Sequence, residues 1–339
     1  MVLGLLGATV LVGCSGSPGP AETIRPTVIA DKSSPPAPVV PAVWPLTGLR
    51  GNVVSRPAVA VKIENTAQAR PQSGVEDADV VWETIVEFGV SRWVAVYHSV
   101  LPPEIGPIRS VRPVDARIVA PLGGLVAYSG GAPGILALMR RAPVQLLSED
   151  DGDEGFYRVR RRPSPHNVYG SLEDFLAQAA VEHSDPPPPQ FAFARQGRSA
   201  AELQGTAAEE ITLRLAPGVT PSWAWDGEAG RWLRSENGRP ALSADDERLT
   251  ATNVVVISVT AVDSGFDAQQ GAMVPDLLLE GEGEGLLAVG GRAVPVTWAK
   301  AERDEPLVLT GPDGEVAHLA SGNTWVELVP RPGGSYTVD

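Results

Sequence analysis

The sequence predicts an α/β N-terminal domain, with a mixed or parallel sheet and flanking helices, followed by a mostly antiparallel β C-terminal domain. Between Arg56 and Gly134 three apolar runs, Ala58–Ile63, Arg92–Tyr97 and Leu125–Tyr128, alternate with polar loops rich in Gly, Pro and Arg. Runs of this length separated by helical patterns read as buried strands of an α/β sheet. From about Gln190 the pattern changes to short strands joined by turns such as Asp226–Gly230, Gly290-Gly291 and Pro312–Gly314, which read as hairpins. The proline run Pro186–Pro189 separates the two patterns.

At the start of the chain, Val2–Gly13 is an apolar stretch too short to span a bilayer and suited to the core of a signal peptide. It ends in Leu11-Val12-Gly13-Cys14, which resembles the bacterial lipobox, where the cysteine thiol is acylated and becomes the first mature residue. No Lys or Arg precedes the run. Residues 1–13 are therefore expected to be a lipoprotein signal peptide, with Cys14 as the lipidation site. Cys14 is the single cysteine of the 339 residues, so no internal disulfide or thiolate zinc site is possible. Residues 14–43 then form a tether in which Pro18, Pro20, Pro26, Pro35, Pro36, Pro38 and Pro41 lie among Ser, Ala and Thr. That composition buries no core. At ~3.1 Å per residue it spans several nanometres.

The α/β domain is expected over residues 44–185. After its first strand, Ser73 and Glu76 have the spacing of a capping box. The reading is a helix with Val75, Ala78, Trp82, Ile85 and Val86 near one face and Gly89 as its stop. Pro113 suits the first turn of a helix running to about Ala120. Another helix is expected over Gly134–Arg141, and Ser171 with Asp174 caps one that runs to about Val181. The acidic loop Ser148–Gly155 lacks the ligand spacing of an EF-hand and reads as solvated. Residues 190–339 make the β-rich domain, which holds Trp223, Trp225, Trp232, Trp298 and Trp325. Those rings read as a buried β core, with stacking on sugars as the other role open to them.

The net charge of −14 argues against nucleic acid as a partner and against adhesion to anionic lipid by charge alone. No Walker A loop, His-Glu-x-x-His or Gly-x-Ser-x-Gly pattern is present, so no cofactor, metal or catalytic residue is assigned. Gly283–Ala288 spells a dinucleotide fingerprint, but it lies in the β region and its glutamates would repel a pyrophosphate. The candidate ligand-binding residues are polar and basic ones near the strand ends. Asn65, Arg70 and Gln72 follow the first strand, Arg92 opens the second, Arg109 and Arg112 follow it, and His166-Asn167 precede a helix. In open α/β sheets ligands bind beyond the carboxyl ends of the strands. Pro71, Pro107 and Pro113 stiffen the arginine loops, and guanidinium forks suit phosphate or carboxylate. The competing reading has these arginines pairing with Glu64, Asp77, Asp79 or Glu83 and merely pinning the loops. Sequence leaves both open.

The chain also resembles the YerB-like lipoproteins of Gram-positive bacteria, a two-domain family with no assigned function. The likeness runs through Pro45–Gly48, Arg56-Pro57, Ala69–Gly74, Ala78-Asp79, Glu83, Glu87, Arg92, Gly106-Pro107, Arg109-Ser110, Arg112 and His166–Tyr169. It continues in Thr252–Val255, Thr297-Trp298 and Thr324-Trp325. Where that family often has Gly-Gly and Thr-Arg, this chain has Phe88-Gly89 and Ser91-Arg92. The resemblance implies a protein lipid-anchored on the outer face of the cytoplasmic membrane, and it supplies no reaction. A second likeness, in the order of an Asp, Ile-x-Arg loops and a Gly-Gly turn, is to the LytR-CpsA-Psr phosphotransferases. It implies Asp79, Arg92, Arg109 and Arg112 around a metal and the pyrophosphate of a lipid-linked wall polymer. Three expectations follow: an anchored binder of a cell-wall polymer or other anionic envelope ligand, such a phosphotransferase, or a non-catalytic scaffold using the Trp-rich domain.

Overall fold

The computed structural model describes residues 42–195, 197–268 and 271–339. The signal peptide, the lipidation site Cys14 and nearly all of the tether lie outside the described residues. The N-terminal half contributes β1 (Val59–Glu64), β2 (Val80–Ile85), β3 (Ser91–Tyr97), β4 (Leu125–Tyr128), β5 (Gln145–Ser148), β6 (Phe156–Arg158) and β7 (Val168–Gly170). Its helices are α1 (Asp115–Val119), α2 (Pro133–Met139) and α3 (Leu172–Ala177). The second half opens with α4 (Ala200–Gln204) and continues through β8 (Thr206–Ala207), β9 (Glu210–Arg214), β10 (Pro221–Asp226), β11 (Arg231–Glu236), β12 (Arg239–Pro240) and β13 (Thr250–Ala251). It ends with β14 (Asn253–Asp267), β15 (Met273–Leu278), β16 (Gly281–Val289), β17 (Arg292–Lys300), β18 (Val308–Thr310), β19 (Thr324–Arg331) and β20 (Ser335–Val338).

Both halves enter one 12-stranded sheet in the order β18-β17-β16-β14-β19-β2-β3-β1-β4-β5, with β15 beside β14 and β8 beside β17. The N-terminal part is mixed: β1, β4 and β5 run parallel, while β3 is antiparallel to both β1 and β2. The C-terminal part is mostly antiparallel, and its strand β19 runs parallel to β2 at the junction. A second sheet, β12-β11-β10-β9-β20 with β13 beside β11, packs on one face of the large sheet. One core lies between the sheets, with Val61, Val81, Trp93, Trp223, Trp232 and Trp325 in it. The opposite face is covered partly by α1 and α2, with Ala60, Trp82, Val94, Ile118 and Ile135 in a second core.

The helix expected after Ser73 does not form. Ser73 Oγ donates to Glu104 rather than capping, a single 3-10 turn spans Val75–Asp77, and Val80–Ile85 is a strand buried on both faces. Val80, Val81, Trp82 and Ile85 are β-branched or aromatic, and they pack on a pleated surface better than along a helix. A run apolar on both faces carries no period to separate the two forms. Asp79 and Glu83 are therefore strand neighbours. The expected helices near 115–120, 134–141 and 172–181 are present in shorter form, and Ser171 Oγ accepts the amide of Asp174 as an N-cap.

The junction holds a fully buried arginine, Arg234, among carboxylates. Glu83 of β2 and Glu327 of β19 stand side by side in register on the face covered by the second sheet. Arg234 of β11, fully buried, comes down between them. Its NH2 lies 2.5 Å from Glu83 Oε2, its NH1 2.7 Å from Glu327 Oε1, and its Nε 2.7 Å from Glu236 Oε1. The rings of Trp325, Trp223 and Trp93 surround the guanidinium at 4.6, 5.2 and 5.3 Å, distances at which cation–π attraction adds to the ion pairs. Two carboxylates this close in a dry interior do not both ionise. Burial pushes Glu327 well above the usual carboxylate range, and the negative charge of Glu83 adds to the push. Glu83 is also penalised by burial, but Arg234 overrides that penalty and holds it below its ordinary value. Glu327 Oε2 has no hydrogen-bond partner, and burial beside the ionised Glu83 keeps Glu327 protonated. Arg234 and Arg70 against Glu83, Glu236 and a neutral Glu327 leave the cluster without net charge.

Removing the central cation strands buried carboxylates, so Arg234→Met is expected to lose about 3–5 kcal/mol of unfolding free energy. The pH dependence follows from Glu327. Its folded pKa is raised, so the unfolded chain releases this proton first. The stabilisation is complete below the ordinary glutamate value and is lost as pH rises through the folded one. Glu327→Gln, which keeps the shape and polarity without the titration, is expected to flatten the decline in urea stability as pH rises above the ordinary glutamate range. A variant that follows the wild-type curve contradicts a protonated Glu327.

Candidate functional site

The candidate site is a cleft of about 640 Å³ at the end of the sheet where β1 finishes and β3 begins. Because β3 is antiparallel to β1, the segment after β3 starts at the opposite end of the sheet. It then runs back across the sheet. Arg109 N donates to Lys62 O at 2.8 Å and Glu64 N to Pro107 O at 2.9 Å, and this return delivers Arg109 and Arg112 to Arg92. The expectation that all three loops leave carboxyl ends of parallel strands is thus corrected. The arginines meet through a returning loop.

Arg92, Arg109, Arg112 and His166 line the cleft with Glu64, Glu87 and Ser110. Arg112 is taken up by Glu87, with Nε 2.5 Å from Oε2 and NH2 bonded to Oε1. Glu87 is penalised by burial, yet the pairing with Arg112 holds it below its ordinary value. Arg109 donates from NH1 to Pro165 O at 3.1 Å, and its buried Nε, 3.6 Å from Glu64 Oε2, has no hydrogen-bond partner. His166 Nδ1 lies 2.9 Å from Glu64 Oε1.

Arg92 is the least satisfied cation. Its side chain is 7% exposed and makes one hydrogen bond, NH1 to Ser110 O at 2.8 Å, while NH2 stands 3.6 Å from Glu87. Burial, then the adjacent Arg112, pulls Arg92 down to about 9. An arginine keeps its proton in a protein, so Arg92 remains a cation in the cleft. Beneath it Lys62 Nζ is buried 2.7 Å from Asp115, and desolvation brings that lysine to about 8. Asp150 and Asp267 stand among the lining residues and limit how much negative charge the cleft accepts.

One wall is apolar: Phe88, Val90, Ala132, Ile135, Ala268 and Val274. Phe88 sits in the tight hairpin between β2 and β3, where Phe88 and Gly89 both have φ of +62°. That backbone favours Gly-Gly or Asn-Gly, and a bulky residue there costs about 1–3 kcal/mol. The ring is nevertheless 67% exposed.

The remaining candidates are placed elsewhere. Asn65, Arg70 and Gln72 belong to the buried cluster and not to the cleft. Arg70 NH2 donates to Glu236 Oε2 at 2.8 Å and its Nε to Asn65 Oδ1 at 2.9 Å. Asn65 Nδ2 reaches Glu83 and Ser91, and Gln72 Nε2 bonds Asn65 Oδ1 and Glu64 O. Asn167 Oδ1 accepts from Arg158 on the outer surface. Asp79 accepts from the amides of His98 and Ser99. It lies at the end of β2 away from Thr84, which is the residue in register with Arg92, so it is remote from the arginines. Ser129 Oγ is 3.4 Å from Ser110 Oγ, with no base on it. Trp223, Trp232, Trp298 and Trp325 are buried in the cores rather than offered for stacking. Among the described residues no group of three or more His, Cys, Asp or Glu is arranged for a metal ion, and no helix is long and apolar enough to cross a membrane. Sequence reading missed Glu87 and Phe88 as parts of the site. It also missed Lys62, whose signal is a lysine inside an otherwise apolar strand.

The comparisons with known proteins cover most of the chain. Residues 46–185 fit the model described as the N-terminal domain of a protein of unknown function, DUF3048, and residues 211–326 fit the model of its C-terminal domain. The chain is similar to "Putative lipoprotein YerB" of Bacillus subtilis (strain 168), at 26% identity over 293 residues, 84% of this chain and 86% of that protein. The crystal structure of the YerB protein from Bacillus subtilis has the same fold, with a TM-score of 0.74, 24% identity and coverage of 87% of this chain and 99% of the other. With both domain models matched in order, the chain belongs to the two-domain DUF3048 family, which includes YerB-like proteins.

Proposed function

We propose that this protein is anchored through an acylated Cys14 at the outer face of the cytoplasmic membrane, and that its arginine cleft binds an anionic ligand of the cell envelope. The apolar leader ending at Cys14, the proline-rich tether and the lipoprotein name carried by the Bacillus subtilis relative support the anchoring. The observation that carries the binding reading is Arg92, a buried cation with a single hydrogen bond and an ion pair to Glu87 only at 3.6 Å, beside Arg109, whose Nε meets Glu64 at the same distance. Convergent donors on rigid backbone are the arrangement that takes an oxyanion at low entropic cost. Arg112 serves by holding Glu87 with two hydrogen bonds, so that this carboxylate meets Arg92 only at 3.6 Å.

A second reading, phosphoryl transfer on a pyrophosphate-linked wall polymer, is favoured by the Glu64–His166 pair. A carboxylate that orients an imidazole beside cations is the form of a general base. The two readings separate on turnover. Release of product from a polyprenyl-pyrophosphate substrate with magnesium, abolished by His166→Ala, establishes transfer, and stoichiometric binding without product establishes the binder.

Cys14→Ala is expected to move the protein from the membrane fraction to the soluble extracytoplasmic fraction, and continued membrane retention contradicts the lipid anchor. Arg109→Ala is expected to weaken retention on a purified anionic wall polymer by about tenfold or more, the loss expected for a charge-assisted hydrogen bond. Wild-type retention is expected to fall as salt rises. Equal binding by the variant across a salt titration contradicts the anion reading.

A further inference from the structure

The cleft pairs its cations with apolar lining residues, and that pairing specifies the ligand more narrowly than charge does. We infer that the cleft takes a phosphate monoester bearing an alkyl chain, with the phosphate on Arg92 and Arg109 and the chain along Phe88, Val90, Ala132 and Ala268. This rests on the anion reading above and deepens it.

The headgroup follows from donor geometry. Arg92 comes from a strand and Arg109 from the returning loop. Donors on separate elements suit an anion with three oxygens spread in space, whereas one planar fork already satisfies a carboxylate. Glu64, Asp150 and Asp267 among the lining residues oppose a polyanion and leave room for one compact charge.

The chain follows from the wall. Val90, Ala132, Ile135, Ala268 and Val274 are aliphatic, and the wall offers no amide side chain to read a base or a sugar edge. Phe88 is the independent observation. A large ring is held out beside the cleft on a backbone with φ of +62° that glycine would adopt without strain. Folding alone gives no reason for that residue at that position, because glycine relieves the strain and the exposed ring buries little. A ligand with an apolar surface gives one.

The test titrates the full chain with inorganic phosphate, octyl phosphate below its micelle concentration, and octanol, following binding by calorimetry. Octyl phosphate is expected to bind at least tenfold tighter than phosphate, the gain of burying about two methylenes. Phe88→Gly is expected to remove most of that gain while leaving phosphate affinity unchanged and thermal stability equal or higher. Arg109→Ala is expected to weaken both anions. Equal affinities for phosphate and octyl phosphate, or a Phe88→Gly protein that keeps the full gain, overturn the alkyl proposal and leave the anion reading standing. Octanol binding as tightly as octyl phosphate, or no binding of either anion, overturns both.

Discussion

A single buried guanidinium constrains this molecule. Once Arg234 of β11 is placed between Glu83 and Glu327, the second sheet has one orientation on the first, and β19 has one register beside β2. A slip of β19 by one residue would turn Glu327 to the opposite face and leave Arg234 one carboxylate short in a cage of three tryptophans. Burying charge is costly, and a purely apolar junction of the same shape could be as stable. What the ions supply is specificity of pairing between segments far apart in the chain. That helps explain why the two family domains share a sheet instead of hanging on a linker.

The same network decides which basic residues stay out of the buried cluster. Asn65, Arg70 and Gln72, on the loop after β1, are consumed in satisfying Glu83 and Glu236. Glu64, one residue before Asn65, turns instead to Arg109 and His166. Adjacent residues at the end of one strand thus serve opposite faces, one structural and one open. The C-terminal half reaches the open face too, through Asp267, Ala268 and Val274. The cleft is therefore a property of the joined halves, and anything that shifts β14 and β15 against the β2–β3 hairpin reshapes it.

Much of this was legible in residue types and little of it in pairings. The strands β1, β3 and β4, the later hairpins and the return to antiparallel pairing follow from apolar runs and Gly-rich turns. The arginines of the cleft stood out because prolines flank them. Their partners did not, because Arg234 and Glu83 are 151 residues apart and Arg70 and Glu236 are 166 apart, and no local pattern encodes such a contact. β2 was misread as a helix for a related reason. A strand buried on both faces shows no alternation, so Val75, Ala78, Trp82 and Ile85 matched a helical stripe by coincidence. Phe88 was visible only as a departure from Gly-Gly, and its meaning required the backbone angle and the cleft beside it.

The central claim is a division of labour among arginines, with Arg70 and Arg234 neutralised inside and Arg92 and Arg109 open to a guest. Diffraction from crystals of the protein soaked in inorganic phosphate tests it directly. The account predicts tetrahedral density within hydrogen-bond distance of Arg92 and Arg109, with the Arg70–Glu236 pair undisturbed. Density on Arg70, or an empty cleft with Arg92 closed onto Glu87, would contradict it.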